Sequence, residues 1–180
     1  MRTSSLSRAA IVGALVATLT VMPIQTAMAE PSPATLPYCA VEIFPVGESN
    51  HPPAEEVCFA TEDEVAEFIA GTSQPGPGAR ALAASVAVGT VYKDAGGAGA
   101  SLTFFGANAC AGESFGFPAV QSSWAGTISS VRAASGCWGT AFADVNYGGS
   151  RLSCSPYCST LGGLNDSVRS LVFRPAGSNG

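Results

Sequence analysis

The sequence predicts an all-β protein: two tandem Greek-key motifs packed as a sandwich, preceded by a small strand-strand-helix extension. Three observations carry this. A hairpin frame recurs 50 residues apart, as Tyr92-Lys-Asp-Ala-Gly-Gly97-Ala-Gly99-Ala-Ser-Leu102 and Phe142-Ala-Asp-Val-Asn-Tyr147-Gly-Gly149-Ser-Arg-Leu152. A closing segment recurs 40 residues apart, as Ala125-Gly-Thr-Ile-Ser-Ser-Val131 and Asn165-Asp-Ser-Val-Arg-Ser-Leu171. Framing motifs kept in order around a loop of variable length are what duplication of one supersecondary unit leaves behind. The third observation is a run of short, near-alternating apolar segments bounded by Gly, Ser, Asn and Asp. They are Val88–Tyr92, Ser101–Phe105, Ile128–Ala133, Trp138–Ala143 and Val168–Arg174. Four short strands per copy make a Greek key, and two keys make a sandwich.

The N-terminus is expected to direct export. Arg2 and Arg8 precede an apolar run from Ala9 to Leu19, and Ala27-Met28-Ala29 supplies a small-x-small cleavage signal. The run is shorter than the roughly 20 residues that span a bilayer. A signal peptide over residues 1–29 leaves a mature chain of 151 of the 180 residues, with 6 basic and 13 acidic side chains, a net charge of −7. Such a surface argues against nucleic acid as a partner. No later segment is apolar enough to span a membrane.

Charge divides the mature chain. Residues 38–70 hold eight acidic side chains and no Lys or Arg; residues 85–180 hold four acidic and five basic ones. The acidic extension, residues 30–70, begins with Val41 and Ile43 alternating about Glu42, and Val57-Cys58-Phe59 gives a second strand. Thr61 and Glu64 form a capping box, and Val65, Phe68 and Ile69 make one apolar stripe of the helix that follows. That stripe needs a surface to pack on, either the following domain or a partner. A Gly/Pro/Ala-rich linker is expected over residues 71–86, then the two copies at about 87–134 and 137–174 in a domain of residues 87–175, and a tail of residues 176–180.

The cysteines Cys39, Cys58, Cys110, Cys137, Cys154 and Cys158 all lie in the mature chain, and their even number in an exported protein reads as three disulfides. Cys39 and Cys58 would pair across the two strands of the extension. A zinc site is rejected, since there is no Cys-x-x-Cys and the single histidine, His51, lies in a Pro-flanked loop. Catalytic machinery is also unpromising. A Ser-His-Asp set has no histidine in the Greek-key region, and oxidised thiols are not nucleophiles. Asp94 and Asp144 occupy equivalent hairpin turns, where Asp is ordinarily a turn residue. Trp124 and Trp138 are read as strand-end packing residues. No catalytic residue is assigned.

These repeats resemble the βγ-crystallin Greek-key family over about residues 87 to 174, and the acidic disulfide-bonded extension resembles that of its secreted bacterial members. The family's hallmark is an aromatic, four residues, an aromatic, one residue and a glycine in the first hairpin, with a serine-bearing segment closing the key. Phe142, Tyr147 and Gly149 fit it; Tyr92 and Gly99 fit it in part, with Gly97 in place of the second aromatic. The resemblance implies a possible calcium site of the form Asn/Asp, Asn/Asp, two variable residues, Ser/Thr, Ser. It is broken in both copies. Asn165, Asp166 and Ser170 stand in the second with Arg169 in the hydroxyl position; Ser129 and Ser130 stand in the first, which lacks the acidic start. A guanidinium about 4 Å from a divalent cation is repulsive by several kcal/mol unless water screens it, so weak calcium binding or none is expected, and no other cofactor. Cys154 and Cys158 could close a small loop about Pro156, and Cys110 to Cys137 would tie the long loop of the first copy to the domain. With Cys39 to Cys58 this is one of 15 connectivities. The implied function is a secreted, monomeric, non-enzymatic structural or binding protein with a protein or cell-surface partner. The alternative is a peptidase (metalloprotease) inhibitor presenting the braced loop from Gly106 to Ser123, since some small secreted bacterial members of the family inhibit such proteases.

Overall fold

Among the described residues eleven strands form two sheets, joined by one α-helix and a short 3-10 helix at Gly162–Leu164. The computed structural model describes residues 37–48, 55–72 and 85–178; the signal-peptide segment, His51 and the interior of the expected linker lie outside them. The strands are β1 (Tyr38–Glu42), β2 (Phe44–Pro45), β3 (Glu56–Phe59), β4 (Val86–Asp94), β5 (Ala98–Gly106), β6 (Phe115–Phe117), β7 (Ser130–Ala133), β8 (Cys137–Phe142), β9 (Arg151–Cys154), β10 (Tyr157–Cys158) and β11 (Ser170–Pro175), with helix α1 (Glu62–Thr72) between β3 and β4. The first sheet runs β10-β7-β4-β5-β1-β3 and the second β2-β6-β11-β8-β9.

The path of the first copy is repeated by the second. β4 lies between β5 and β7 while β6 sits in the opposite sheet; β8 lies between β9 and β11 while β10 sits in the opposite sheet. Each copy therefore lends one short strand to the sheet of the other. This is an all-β Greek-key arrangement with an N-terminal strand and helix element. Inward residues alternate along each strand, as the two-residue period of a strand dictates. Val91, Leu102, Phe104 and Val131 from one sheet meet Phe115, Ala141, Leu171 and Phe173 from the other in a single core. The Phe104 ring lies 5.2 Å from Phe117 and 5.4 Å from Phe173.

The extension contributes strands to both sheets. β1 pairs antiparallel with β3 and parallel with β5, Cys39 opposite Leu102 and Val41 opposite Phe104. At Ile43, whose N–H donates to the Phe105 carbonyl at 2.8 Å, the chain leaves the first sheet; the next residue, Phe44, begins β2, paired with β6 in the second. The middle of a strand flanked on both sides and covered on both faces must be apolar, and Cys39, Ala40 and Val41 are all buried, while Glu42 at its end is exposed. α1 supplies the outer cover. Its capping box forms as the sequence predicts: Glu64 N–H donates to Thr61 Oγ1 at 3.2 Å, and Thr61 N–H donates to Glu64 Oε2 at 3.0 Å. Val65 and Ile69 are buried against Ala40 and Phe105, with Phe68 packed beside them, so the following domain is what the apolar stripe covers. α1 continues through Gly71 and Thr72 and β4 begins at Val86, so both ends of the interval expected as linker belong to regular elements. Among the described residues no helix is long and apolar enough to cross a membrane.

Three disulfides join Cys39 to Cys58, Cys110 to Cys137 and Cys154 to Cys158. The first links directly opposed residues of β1 and β3. The second ties the loop after β5 to the first residue of β8, and both its cysteines are buried.

Candidate functional site

The two folded hairpins and the segments that close them carry every candidate residue of the repeat. In the second copy Ser170 Oγ donates to the Asp144 carbonyl at 2.6 Å and accepts from Tyr147 N–H at 3.0 Å. In the first, Ser130 Oγ donates to the Asp94 carbonyl at 2.7 Å and accepts from Gly97 N–H at 3.0 Å. Both serines are fully buried. A hydroxyl is small enough to enter the hairpin and can donate and accept at once, which explains why each closing segment carries a serine there. Substituting Ser170→Ala strands a buried donor and a buried acceptor together. It is expected to lower stability by about 1–3 kcal/mol, read as a lower urea midpoint with an unchanged slope. Gly99 and Gly149 hold φ near +75 and +74°, and a β-carbon at either would collide with the Asp94 or Asp144 carboxylate. Those two acids are therefore packed against their own hairpins.

Gly97, where an aromatic is missing from the first copy, has a structural explanation. In the second copy the Tyr147 ring is 5.9 Å from Phe142, and its hydroxyl occupies the place a β-carbon on Gly116 would take. Gly116 is in β6 opposite Val172; the equivalent place in β10, opposite Arg132, holds Tyr157. Around Gly97 the nearest groups are the Tyr157 hydroxyl and Arg132 Nη2, each 3.4 Å from a would-be β-carbon, and Arg132 lies 4.4 Å over the Tyr157 ring. One copy thus places its ring on the hairpin and a glycine on the lent strand, and the other copy does the reverse. Burial raises the pKa of Tyr147, and burial with the Glu62 charge raises that of Tyr92.

The broken calcium motifs meet across the two copies. Ser129 Oγ donates to Asp166 Oδ1 at 3.1 Å, Asn165 Nδ2 donates to Asp166 Oδ2 at 2.7 Å, and Asp166 N–H donates to the Ile128 carbonyl at 3.0 Å. Asp166 has φ +54° and its counterpart Gly126 has φ +76°. The same left-handed backbone is thus kept in both copies, by an Asp in one and a Gly in the other, residue types that tolerate it. On the Asp166 side a carboxylate and a hydroxyl face one another. The position matching Asp166 in the first copy is Gly126, with no side chain, and the position matching Ser129 in the second is Arg169, which is exposed. One carboxylate already accepting two hydrogen bonds, with one hydroxyl beside it, falls short of the six to eight oxygen ligands of calcium. Ser130 and Ser170 are committed to their hairpins. One other group of potential ligands, Cys39, Glu56 and Cys58, draws together among the described residues, but its two sulfurs are bonded to each other.

Trp124 is buried; its Nε1–H donates to Glu56 Oε1 at 2.9 Å, and Lys93 Nζ lies 4.9 Å from its ring centroid. It pins the extension to the first copy. Trp138 is half-buried. Around buried Cys110, Ala107, Asn108, Ala111, Gly112 and Glu113 are exposed, and the loop borders a cleft lined by Glu42, Phe44, Glu48 and Phe115. Sequence reasoning missed Arg174 as more than a strand end; no local pattern marks a charged residue that will be buried.

No family model and no curated protein matches the chain. Among solved structures it is similar to the N-terminal domain of protein S, at 19% identity with a TM-score of 0.41, over 49% of this chain and 97% of that one. It is also similar to a βγ-crystallin domain from Flavobacterium johnsoniae, at 24% identity with a TM-score of 0.36, over 51% of this chain and 99% of that one. A βγ-crystallin from an archaeon gives 24% identity and a TM-score of 0.36, over 50% and 98% of the two chains.

Proposed function

We propose that the protein is an exported, non-enzymatic structural or binding protein of βγ-crystallin type, built from two interlocked Greek keys and binding calcium weakly at most. The Asp166–Ser129 cluster carries this reading. Its carboxylate is satisfied by Ser129 and Asn165, and Gly126 and Arg169 stand where the matching half would need oxygen. The strand path repeated with one lent strand per copy supports the two keys. Three disulfides and the N-terminal sequence support export. Asp94 and Asp144, packed against Gly99 and Gly149, support turn roles over catalytic ones. Calorimetric titration of the mature protein with calcium chloride is expected to show no site tighter than about 10⁻⁴ M, the weak end of extracellular calcium modules. A micromolar site would overturn the reading of Arg169.

A second reading is favoured by the exposed loop about Cys110. A disulfide buried at both ends ties the exposed residues about Cys110 to the domain, and a restraint of that kind lowers the entropy lost on binding. A secreted peptidase, a metalloprotease foremost, is the partner this loop would suit. Incubation with a panel of secreted proteases separates the readings. Stoichiometric inhibition supports the inhibitor, and cleavage of the loop without inhibition excludes it.

A further inference from the structure

We propose that Arg174 and Arg151, with the hydroxyls of Thr140 and Ser153, form a binding site for a small tetrahedral oxyanion such as sulfate or phosphate on the outer face of the second sheet. Leu171 and Phe173 of β11 point into the core, so Arg174 projects from the opposite face. It is nevertheless only 7% exposed. Its Nε donates to the Ser178 carbonyl at 3.0 Å, Nη2 to Ser153 Oγ at 3.1 Å, and Nη1 to Thr140 Oγ1. All three acceptors are neutral oxygens. Withdrawing a guanidinium from water without a counter-charge is unfavourable, and a second cation makes it more so. Arg151 lies two residues before Ser153 on β9, on the same face, and is exposed. Desolvation, and then the charge of Arg151, lower the proton affinity of Arg174.

The donors left over point to the ligand. A guanidinium has five N–H groups, and the bonds above leave one on each terminal nitrogen of Arg174. Thr140 and Ser153 share a hydrogen bond of 3.2 Å. One donates to the other and both accept from Arg174, so the second hydroxyl keeps a proton to donate. On the face that also carries the exposed Arg151, Arg174 keeps those two N–H groups and one hydroxyl keeps its proton, the complement of an oxyanion. Ser153 and Arg151 are both exposed, which leaves the site open from the β9 side. In the first copy the equivalent hydroxyl pair, Thr90 and Thr103 at 3.0 Å, lies beneath Val65, Ala66 and Ile69 of α1. The position matching Arg174 there is Ala134. The arginine is thus specific to the sheet that α1 does not cover.

The test is a titration of the mature, disulfide-bonded protein with sodium sulfate and, separately, sodium phosphate, against sodium chloride at matched ionic strength, following the Arg174 Nε–Hε resonance by NMR. The expected result is a saturable shift with sulfate or phosphate and none with chloride. Arg151→Gln, an exposed substitution that keeps the fold, is expected to weaken that binding about tenfold, the loss of one charge-assisted hydrogen bond. A response to all three salts alike, or unchanged affinity in Arg151→Gln, would overturn the proposal.

Discussion

Gly89→Ala is expected to destabilise the protein by about 3 kcal/mol, the upper part of the range for overpacking a close-packed core. Gly89 faces the core from β4, just after the register shift at Val88. A β-carbon there would fall 2.1 Å from Cε1 of Phe173. The ring has no free direction in which to move. It is fully buried, Phe104 is packed on it at 5.4 Å, and Gly139 of β8 approaches it from another side. Urea unfolding of the oxidised protein reads the loss directly. The double variant Gly89→Ala with Phe173→Leu separates this account from a generic intolerance of β4. Shortening the ring removes the atom that collides, so the pair is expected to regain more than half of the loss, a strongly non-additive cycle. Additive losses would mean that the glycine is required for the bulge in β4 and not for the ring.

The repeat made part of this architecture legible before any coordinates. Tyr92, Gly99, Phe142, Tyr147 and Gly149 mark the hairpins because a folded hairpin has local requirements, a glycine at positive φ and a ring to cover it. The capping box of α1 was legible for the same reason, since its partners are three residues apart. The contribution of β1 was not. It pairs in parallel with β5, about 60 residues further along the chain, and parallel pairing leaves no turn to betray it. The sequence therefore suggested a separate acidic piece where the fold has two strands of one sheet. Strands β6 and β10 escaped because three and two residues are too few to show a period. With β10 went the meaning of Gly97. The missing ring is supplied as Tyr157 by a strand that only the three-dimensional exchange between copies brings alongside. Arg174 is the counterpart among charged residues. Its burial follows from packing on Thr140 and Ser153, which sit 34 and 21 residues away in the chain.

Removing the Cys110–Cys137 bond by paired Ala substitution is expected to lower stability by about 3.5 kcal/mol, against about 2 kcal/mol for Cys154–Cys158, from the loop-closure entropy each bond removes from the unfolded chain. The sequence separations are 27 and 4 residues. The larger bond also ties the two copies together. The loop between β5 and β6 crosses from the first sheet to the second, and Cys137 opens the strand with which the second copy begins. Without the bond the long loop is held by β5, by the three residues of β6 and by Val46 N–H, which donates to the Ser114 carbonyl at 2.8 Å. Hydrogen exchange should then rise in residues 107–114 and at the β2–β6 pairing, while β8 and β11, with six paired positions between them, stay protected. Equal losses from the two bonds would show that loop length does not govern their contributions. Unchanged exchange around Cys110 would show that the cleft-side packing of Phe115, and not the disulfide, fixes the loop.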